Sequence, residues 1–480
     1  MPDEILIGRE AELERLRQCL NEERPQLIVL YGRRRVGKTY LIDQFFNGRF
    51  DFKLTGVYRA KKEVQLRHFA LELSRQTKTA YDIPANWADA FEMLRTYLLS
   101  LPSDEKHLVF FDEMPWLDTQ KSDFLPEFEY FWNDFGCTLN NLVFIACGSA
   151  TSWMANNIEQ NKGGLFNRQT CSIYLQPFNL YETKEYLNAR GIIWSNYDIA
   201  RCYMILGGIP FYLSLLRADK TLADNVDNLF FRKRAELWDE FDHLYHTLFS
   251  NSEQYIKIAE ALSSKRIGLT RTEISKQTSL PENGVLSEML ENLVRSDFVR
   301  AYSFYGSKRR DTLYQLKDYY SLFYFRFIKD YHGRDEHFWR NTYESASIRA
   351  WAGLTFEQLC KDHVDQIKIR LGIAGVATDV SSWFSKGDDD TRGAQIDLLL
   401  DRRDNMINLC ELKFSINQFE IDKEYDISIR NKIASLQKNL KSNKSISVVM
   451  ITTYGIKQNK YSNIVSQQVL LDDLFVEDFS

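Results

Sequence analysis

The sequence predicts an α/β fold built in several domains: a parallel sheet covered by helices, a helical unit, a winged helix, and a second α/β domain. Three observations carry this prediction. Short apolar runs, "LIVLYG", "HLVFFDE" and "LVFIACGS", alternate with amphipathic stretches early in the chain, the pattern of strands buried on both faces. A glycine-containing turn, "GRRRVGKT", stands where the first run gives way to a helical pattern. Near the other end, "IDLLL" and "NLCELK" form a second pair of strand-like runs.

With 480 residues, 44% hydrophobic and 14% aromatic, the chain has length for about three domains, each able to bury a core. The net charge of −5 gives no global basic field, so any nucleic-acid contact must rest on a local patch. Seven cysteines at positions 19, 137, 147, 171, 202, 360 and 410 are scattered without a CxxC pair. That argues against a disulfide framework and a zinc site, and a reducing cytoplasm fits. "MPDEILIGREAEL" has no apolar leader core, and no apolar run approaches about eighteen residues. The expectation is a cytoplasmic protein, neither exported nor membrane-spanning.

Taken in order, residues 1–175 are expected to form the parallel-sheet domain. Within it "GRRRVGKT" matches GxxxxGK[ST] from Gly32 to Thr39, with a strand before it and a helix after it. Such glycines let backbone N–H groups fold around phosphates at a helix N-terminus. Gly32, Arg33, Arg34, Arg35, Val36, Gly37, Lys38 and Thr39, with Tyr40 behind them, are the candidate nucleotide-binding stretch. Lys38 is assigned to the β and γ phosphates and Thr39 to Mg²⁺. "HLVFFDE" ends on Asp112-Glu113, at a strand's carboxyl end where open α/β sheets bind ligands. Asp112 reads as the magnesium residue and Glu113 as the base that orients water; the alternative is a helix cap. Ser149, ending the third run, reads either as a γ-phosphate sensor or as a cap.

Residues 176–250 lose the β-branched runs and take helical spacing, a small helical unit. From 251 to 318 three helical patterns precede two strand-like runs joined by a basic loop, the order of a winged helix. Thr270 and Glu273 in "TRTE" are spaced for a reciprocal capping box. Its third helix, about Glu282 to Arg295, would read DNA and Lys308-Arg309-Arg310 would touch backbone phosphates. Glu282, Glu288 and Glu291 fall on the exposed face of that helix, however, which leaves a protein-packing module as the other reading. The aromatics of 319–350 suit either a core or base stacking.

Residues 351–480 read as the final α/β domain. Asp397 heads "IDLLL", Glu411 and Lys413 end the next run, and Glu357 lies on a preceding helix. Period-two alternation puts Glu411 and Lys413 on one strand face. Such a face either gathers a metal ion or is a solvated edge.

The first 215 residues or so resemble the archaeal-type family of AAA+/STAND-like P-loop ATPases, also found in bacteria. The likeness is carried by "IGREAELERL", "GRRRVGKT", "FFDE", "CGSATSWM", "GLFNRQTCSIYLQPF" and "GGIPFYL". The resemblance implies ATP hydrolysis, with Ile7, Gly8 and Arg9 near the adenine, Ser149 as first sensor, and Arg168 as arginine finger or sensor. An arginine before a strand is alternatively just solvated. The carboxy-terminal pattern resembles the PD-(D/E)xK nuclease-like fold. That likeness implies Asp397 and Glu411 as Mg²⁺ ligands, Lys413 as the cation at the attacked phosphate, and Glu357 as support for the metal shell.

Together these readings imply an ATP-hydrolysing switch coupled to a DNA-binding or DNA-cleaving domain, using ATP and Mg²⁺. DNA is the expected partner, with self-association and a protein partner left open and no membrane. The competing reading keeps the ATPase and makes the remainder a signalling or assembly platform on an inactive nuclease fold.

Overall fold

The computed structural model describes residues 6–159, 163–165, 167–249, 251–306, 312–333, 335–387, 392–440 and 443–477. The wing residues Lys308, Arg309 and Arg310 lie outside the described residues. The chain divides into two compact units: residues 1–177 with 209–211 and 244–250, and residues 178–208, 212–243 and 251–480. The stretch 176–250, expected as one helical unit, is shared between them.

In the first unit five parallel strands, β1 (Gln26–Tyr31), β2 (Phe52–Thr55), β3 (His107–Asp112), β4 (Leu142–Gly148) and β5 (Cys171–Tyr174), form one sheet in the order β2-β3-β4-β1-β5. The unbroken apolar runs of β1, β3 and β4 are explained by burial on both faces, with Leu27 to Leu30 and Leu142 to Cys147 fully buried. One face is covered by an aromatic layer in which Trp87, Phe91, Phe124, Phe128 and Phe131 pack around Phe111 and Phe144. Because β4 lies between β1 and β3, the carboxyl ends of three adjacent strands present Gly32, Ser149 and Asp112 side by side.

The second unit contains three helices, Ser252–Ser263, Arg271–Thr278 and Gly284–Arg295, and a small antiparallel sheet of β6 (Leu269–Thr270), β7 (Val299–Tyr302) and β8 (Leu313–Leu316). The capping box forms: Thr270 accepts from the Glu273 N–H while Glu273 accepts from the Thr270 N–H. Glu288 and Glu291 of the third helix are exposed, as is Glu282, which lies just before it and outside the expected helix face; Arg271 partly neutralises Glu282 and Arg295 partly neutralises Glu291. The aromatic segment after this module is largely core, with Tyr320, Phe323 and Trp339 fully buried.

The unit ends in a five-stranded sheet of β9 (Thr378–Gly387), β10 (Arg392–Arg402), β11 (Met406–Lys413), β12 (Ser445–Thr452) and β13 (Gln467–Leu470), in the order β13-β12-β11-β10-β9. β10 and β11 are the antiparallel hairpin that "IDLLL" and "NLCELK" foreshadow, and β12 runs parallel to β11 after the helix Lys423–Asn439. Pairing between β9 and β10 slips at a bulge between Ile396 and Leu399. Bulges re-aim side chains, and this one holds Asp397, whose backbone carbonyl accepts from the Ser382 hydroxyl at 2.6 Å.

Candidate functional site

The phosphate loop leaves β1 through Gly32, whose φ of +149° and whose would-be Cβ, 2.3 Å from the Leu175 carbonyl oxygen, admit no side chain. Arg35 and Gly37 also take positive φ before the helix Lys38–Phe45 begins. This turn coils the loop over the helix N-terminus, where free N–H groups suit phosphate.

Lys38 is buried and donates three hydrogen bonds: to the carbonyls of Gly32 (3.0 Å) and Arg33 (2.9 Å) and to the Ser149 hydroxyl (2.9 Å). An ammonium has three donors, so the set is complete. Burial lowers the Lys38 pKa, opposed by Cys147, Glu113 and Asp112. The Ser149 hydroxyl donates onward to Glu113 Oε1 at 2.6 Å, and the Ser149 N–H donates to Glu113 Oε2 at 3.0 Å. Lysine, serine and glutamate thus form one chain of hydrogen bonds. Glu113 sits at φ +47°, an uncommon conformation for a non-glycine residue and one that occurs at working sites. Beside this chain, the Thr39 hydroxyl donates to Asp112 Oδ2 at 2.9 Å. Burial, then the neighbouring Glu113, raises the Asp112 pKa.

Arg9, also buried, donates to the Val36 carbonyl at 3.3 Å and to the Gln176 carbonyl at 2.9 Å, tying Arg9, which directly follows Ile7 and Gly8, to the loop. Arg35 lies 4.2 Å over the ring of Phe211. Arg33 is buried, and Tyr40 is exposed.

Arg168 departs from the expectation of a sensor at its own phosphate loop. It is exposed in the turn before β5. Two residues on, the Thr170 N–H donates to the Leu27 carbonyl near the start of β1. At roughly 3.3 Å per residue, Gly32 begins about 16 Å further along that parallel pair, beyond side-chain reach. Arg168 belongs to the opposite end of the sheet.

In the second unit, Glu357, Asp397, Glu411 and Lys413 line one cavity of about 310 Å³ with Arg266 and Lys432. The sequence reading brought the first four together. Their partners were missed. Glu411 is buried and accepts from Tyr425 Oη at 2.6 Å and Lys432 Nζ at 2.5 Å. Tyr425 and Lys432 lie seven residues apart on the helix Lys423–Asn439, a two-turn spacing that was legible as one face. Lys413 shares the face of Glu411 as expected, with its ammonium 5.0 Å over the Tyr425 ring. Burial lowers its pKa, opposed by Glu411.

Asp397 accepts from Gln395 at 2.6 Å and lies 2.8 Å from the guanidinium of Arg266, which also bonds Glu357. No local signal in "SSKRIGLT" announces Arg266. The oxygen donors are of the hard kind that suits Mg²⁺, but each carboxylate is already matched by a cation. Among the described residues no group of three or more His, Cys, Asp and Glu side chains is placed to hold a metal ion. As they stand, Asp397 lies against Arg266 and Glu411 against Lys432, so a metal ion at the expected pair would have to displace these cations.

A parallel sheet whose adjacent strand ends present a phosphate loop, an acid pair and a serine is the arrangement of a P-loop nucleotide-binding domain of the ATPase kind. In agreement, residues 6–216 match the ATPase domain found predominantly in Archaea. An uncharacterized protein of Methanocaldococcus jannaschii is 24% identical over 99% of this chain and 100% of its own length. An uncharacterized ATP-binding protein of the same organism is 49% identical over 45 residues, 9% of this chain and 76% of that protein. Among solved structures, the Walker-type ATPase of Pyrococcus abyssi aligns with a TM-score of 0.46 and 19% identity, over 67% of this chain and 96% of that one. The ORC2 protein of Aeropyrum pernix, in its ADPNP–ADP complexes, aligns with a TM-score of 0.41 and 13% identity, over 66% and 91%. No helix among the described residues is long and apolar enough to cross a membrane.

Proposed function

We propose that the chain is an ATP-hydrolysing switch whose second unit engages nucleic acid, DNA in the first instance. The observation that carries the hydrolytic part is the chain Lys38–Ser149–Glu113 beside the Thr39–Asp112 pair. The three bonds of Lys38 to Gly32, Arg33 and Ser149 are the ones a triphosphate would replace. Once Lys38 turns to the β and γ oxygens, the Ser149 hydroxyl loses its donor, and its own turn toward the γ-phosphate would free Glu113 Oε1 to orient a water and take its proton. Thr39 and Asp112 offer the oxygens suited to Mg²⁺. Magnesium, when bound, supplies charge neutralisation on the phosphate oxygens. Ile7, Gly8 and Arg9, the last bonded to the Val36 carbonyl of the loop, would border the base.

Lys38→Ala is expected to lose ATP binding, whereas Glu113→Gln should bind ATP and lose turnover. Undiminished hydrolysis by the Glu113→Gln protein would end this assignment.

For the second unit, support for a nucleic-acid role comes from the winged-helix order of elements in 252–316, the basic Lys308-Arg309-Arg310 of the sequence, and the nuclease-like strand arrangement holding Asp397, Glu411 and Lys413. The cations already set against its acids, Arg266 shared by Glu357 and Asp397 and Lys432 on Glu411, favour a binding role, or the platform with an inactive nuclease fold, over a ready hydrolase. Cleavage of DNA by the purified chain with Mg²⁺ or Mn²⁺, with and without ATP, separates them: cleavage restores the nuclease, and its absence under every condition leaves binding alone.

A further inference from the structure

A second cavity in the same unit, of about 320 Å³, is lined by Tyr197, Arg201, Tyr343, Arg349, Phe414 and Ile416. Its size lies at the small end of the roughly 300–1,000 Å³ of ligand sites, enough for one ring system with a polar group attached. Its walls are aromatic. Tyr197 and Phe414 stack with centroids 5.1 Å apart and planes 5° off parallel. Tyr343 carries the guanidinium of Arg201 at 3.5 Å from its ring centroid.

Arg201 is the informative residue. It is only 5% exposed and donates to the Tyr343 backbone carbonyl at 3.2 Å, but no carboxylate pairs with it within 4 Å among the described residues. The near acid, Asp198, accepts instead from the Tyr343 and Ser195 hydroxyls. A buried guanidinium without an anion is costly, and a cavity beside it is where the anion would go. Arg349 adds a second cation at the rim, against the single acid Glu344. An aromatic-lined cavity with an excess of positive charge among its lining residues suits a nucleotide: the base against the aromatic wall and a phosphate for the arginines. An apolar side chain of a partner protein would fill the cavity and leave Arg201 unmatched.

The cavity adjoins the acid–lysine site through two elements. Phe414 directly follows Lys413, and Arg349 lies eight residues before Glu357 on the helix Ala346–Asp362, about 12 Å along its axis at roughly 1.5 Å per residue. That span is about three to four stacked nucleotides at roughly 3.4 Å each, so one strand can reach both places. We propose that this cavity takes one unstacked base of a single-stranded nucleic acid, with the phosphate of that nucleotide on Arg201 and Arg349. The inference rests on the nucleic-acid reading of this unit and names the form of substrate it holds.

The test uses the full chain and a short single-stranded oligonucleotide carrying one 2-aminopurine, followed by fluorescence anisotropy, with free dAMP as competitor and the matching duplex as control. Tyr343→Ala and Phe414→Ala should each weaken single-strand binding about ten- to hundredfold, and dAMP should compete. The exposed Arg349→Glu, which leaves the core untouched, should weaken it as well and flatten the salt dependence by about one unit of slope. If variants with native melting curves bind the single strand as tightly as the original chain, the pocket is refuted and the nucleic-acid reading stands. Equal losses for single strand and duplex would also refute it, since surface charge would then be responsible. If the original chain binds no nucleic acid in any form, the broader reading falls and the pocket with it.

Discussion

Arg266 lies 2.8 Å from the carboxylate of Asp397 and also bonds Glu357, so one guanidinium joins an acid expected as a metal ligand to the acid expected to support the metal shell. The bridge is partly solvated, with side-chain exposures of 38% and 24% for Arg266 and Asp397. Such pairs contribute only about 0–1 kcal/mol. It is therefore a contact that a stronger ligand can displace.

Arg266→Ala should leave Asp397 and Glu357 without the cation that bridges them, two like charges that a divalent ion would relieve. Mn²⁺ binding measured by calorimetry is expected to tighten about tenfold or more, and Mn²⁺ should raise the melting temperature of the variant more than that of the original chain. Identical Mn²⁺ affinities in the two proteins would show that Arg266 does not govern access to these acids.

Glu411 poses the opposite case, because it is buried and held by Lys432 and Tyr425. Removing one partner of a buried pair leaves an uncompensated charge, on the order of 3 kcal/mol, whereas replacing both by apolar groups is far milder. Lys432→Met should thus destabilise the fold strongly, and Glu411→Leu combined with Lys432→Met should recover most of the loss. A double variant as unstable as the sum of the single ones would make the pair independent rather than coupled.

What the sequence revealed and what it concealed follow from range. The phosphate loop, the acid pair after β3 and the β10–β11 hairpin are local patterns, each set by a strand's burial and the turn after it. Lys432 and Tyr425 were legible as one helical face, yet their partner Glu411 is on a different element. β9 escaped because "TDVSSWFSKG" alternates serine and charge with few branched apolar residues. Arg266 was beyond reach, since its contact with Glu357 spans 91 positions and depends on how two modules of the unit pack. Likewise, that Arg168 sits at the wrong end of the sheet for its own phosphate loop emerges only from the parallel register.

Lys361 yields a pH dependence. Burial, then Arg300, lowers its pKa from 10.5 to about 8, with Arg266 also lowering it and Asp397 and Asp362 opposing. Between those two values the unfolded chain holds more protons than the folded one, so stability rises with pH across this window. The charged lysine is a cost below about pH 8 that fades as the proton leaves, at most about 3 kcal/mol. Urea unfolding from pH 7 to 10 should show this rise, and Lys361→Met should be more stable at pH 7 with a flatter profile. A parallel profile for the variant would assign the rise to other groups.

Arg168, remote from its own phosphate loop, can meet a bound nucleotide only on a neighbouring copy of the chain. If it acts as a finger there, Arg168→Ala should bind ATP normally and lose about 10³-fold or more in turnover. A mixing experiment then identifies the donor. The Lys38→Ala chain cannot bind ATP but still offers Arg168, while the Arg168→Ala chain keeps an intact loop but offers no arginine. Each alone should be inactive, and together they should regain turnover, because mixed assemblies place an intact loop beside an intact Arg168. The specific activity of the original chain should also rise with protein concentration as copies associate. Normal turnover by Arg168→Ala, or mixtures as inactive as their components, would return Arg168 to a solvated turn residue and remove the reason to expect self-association.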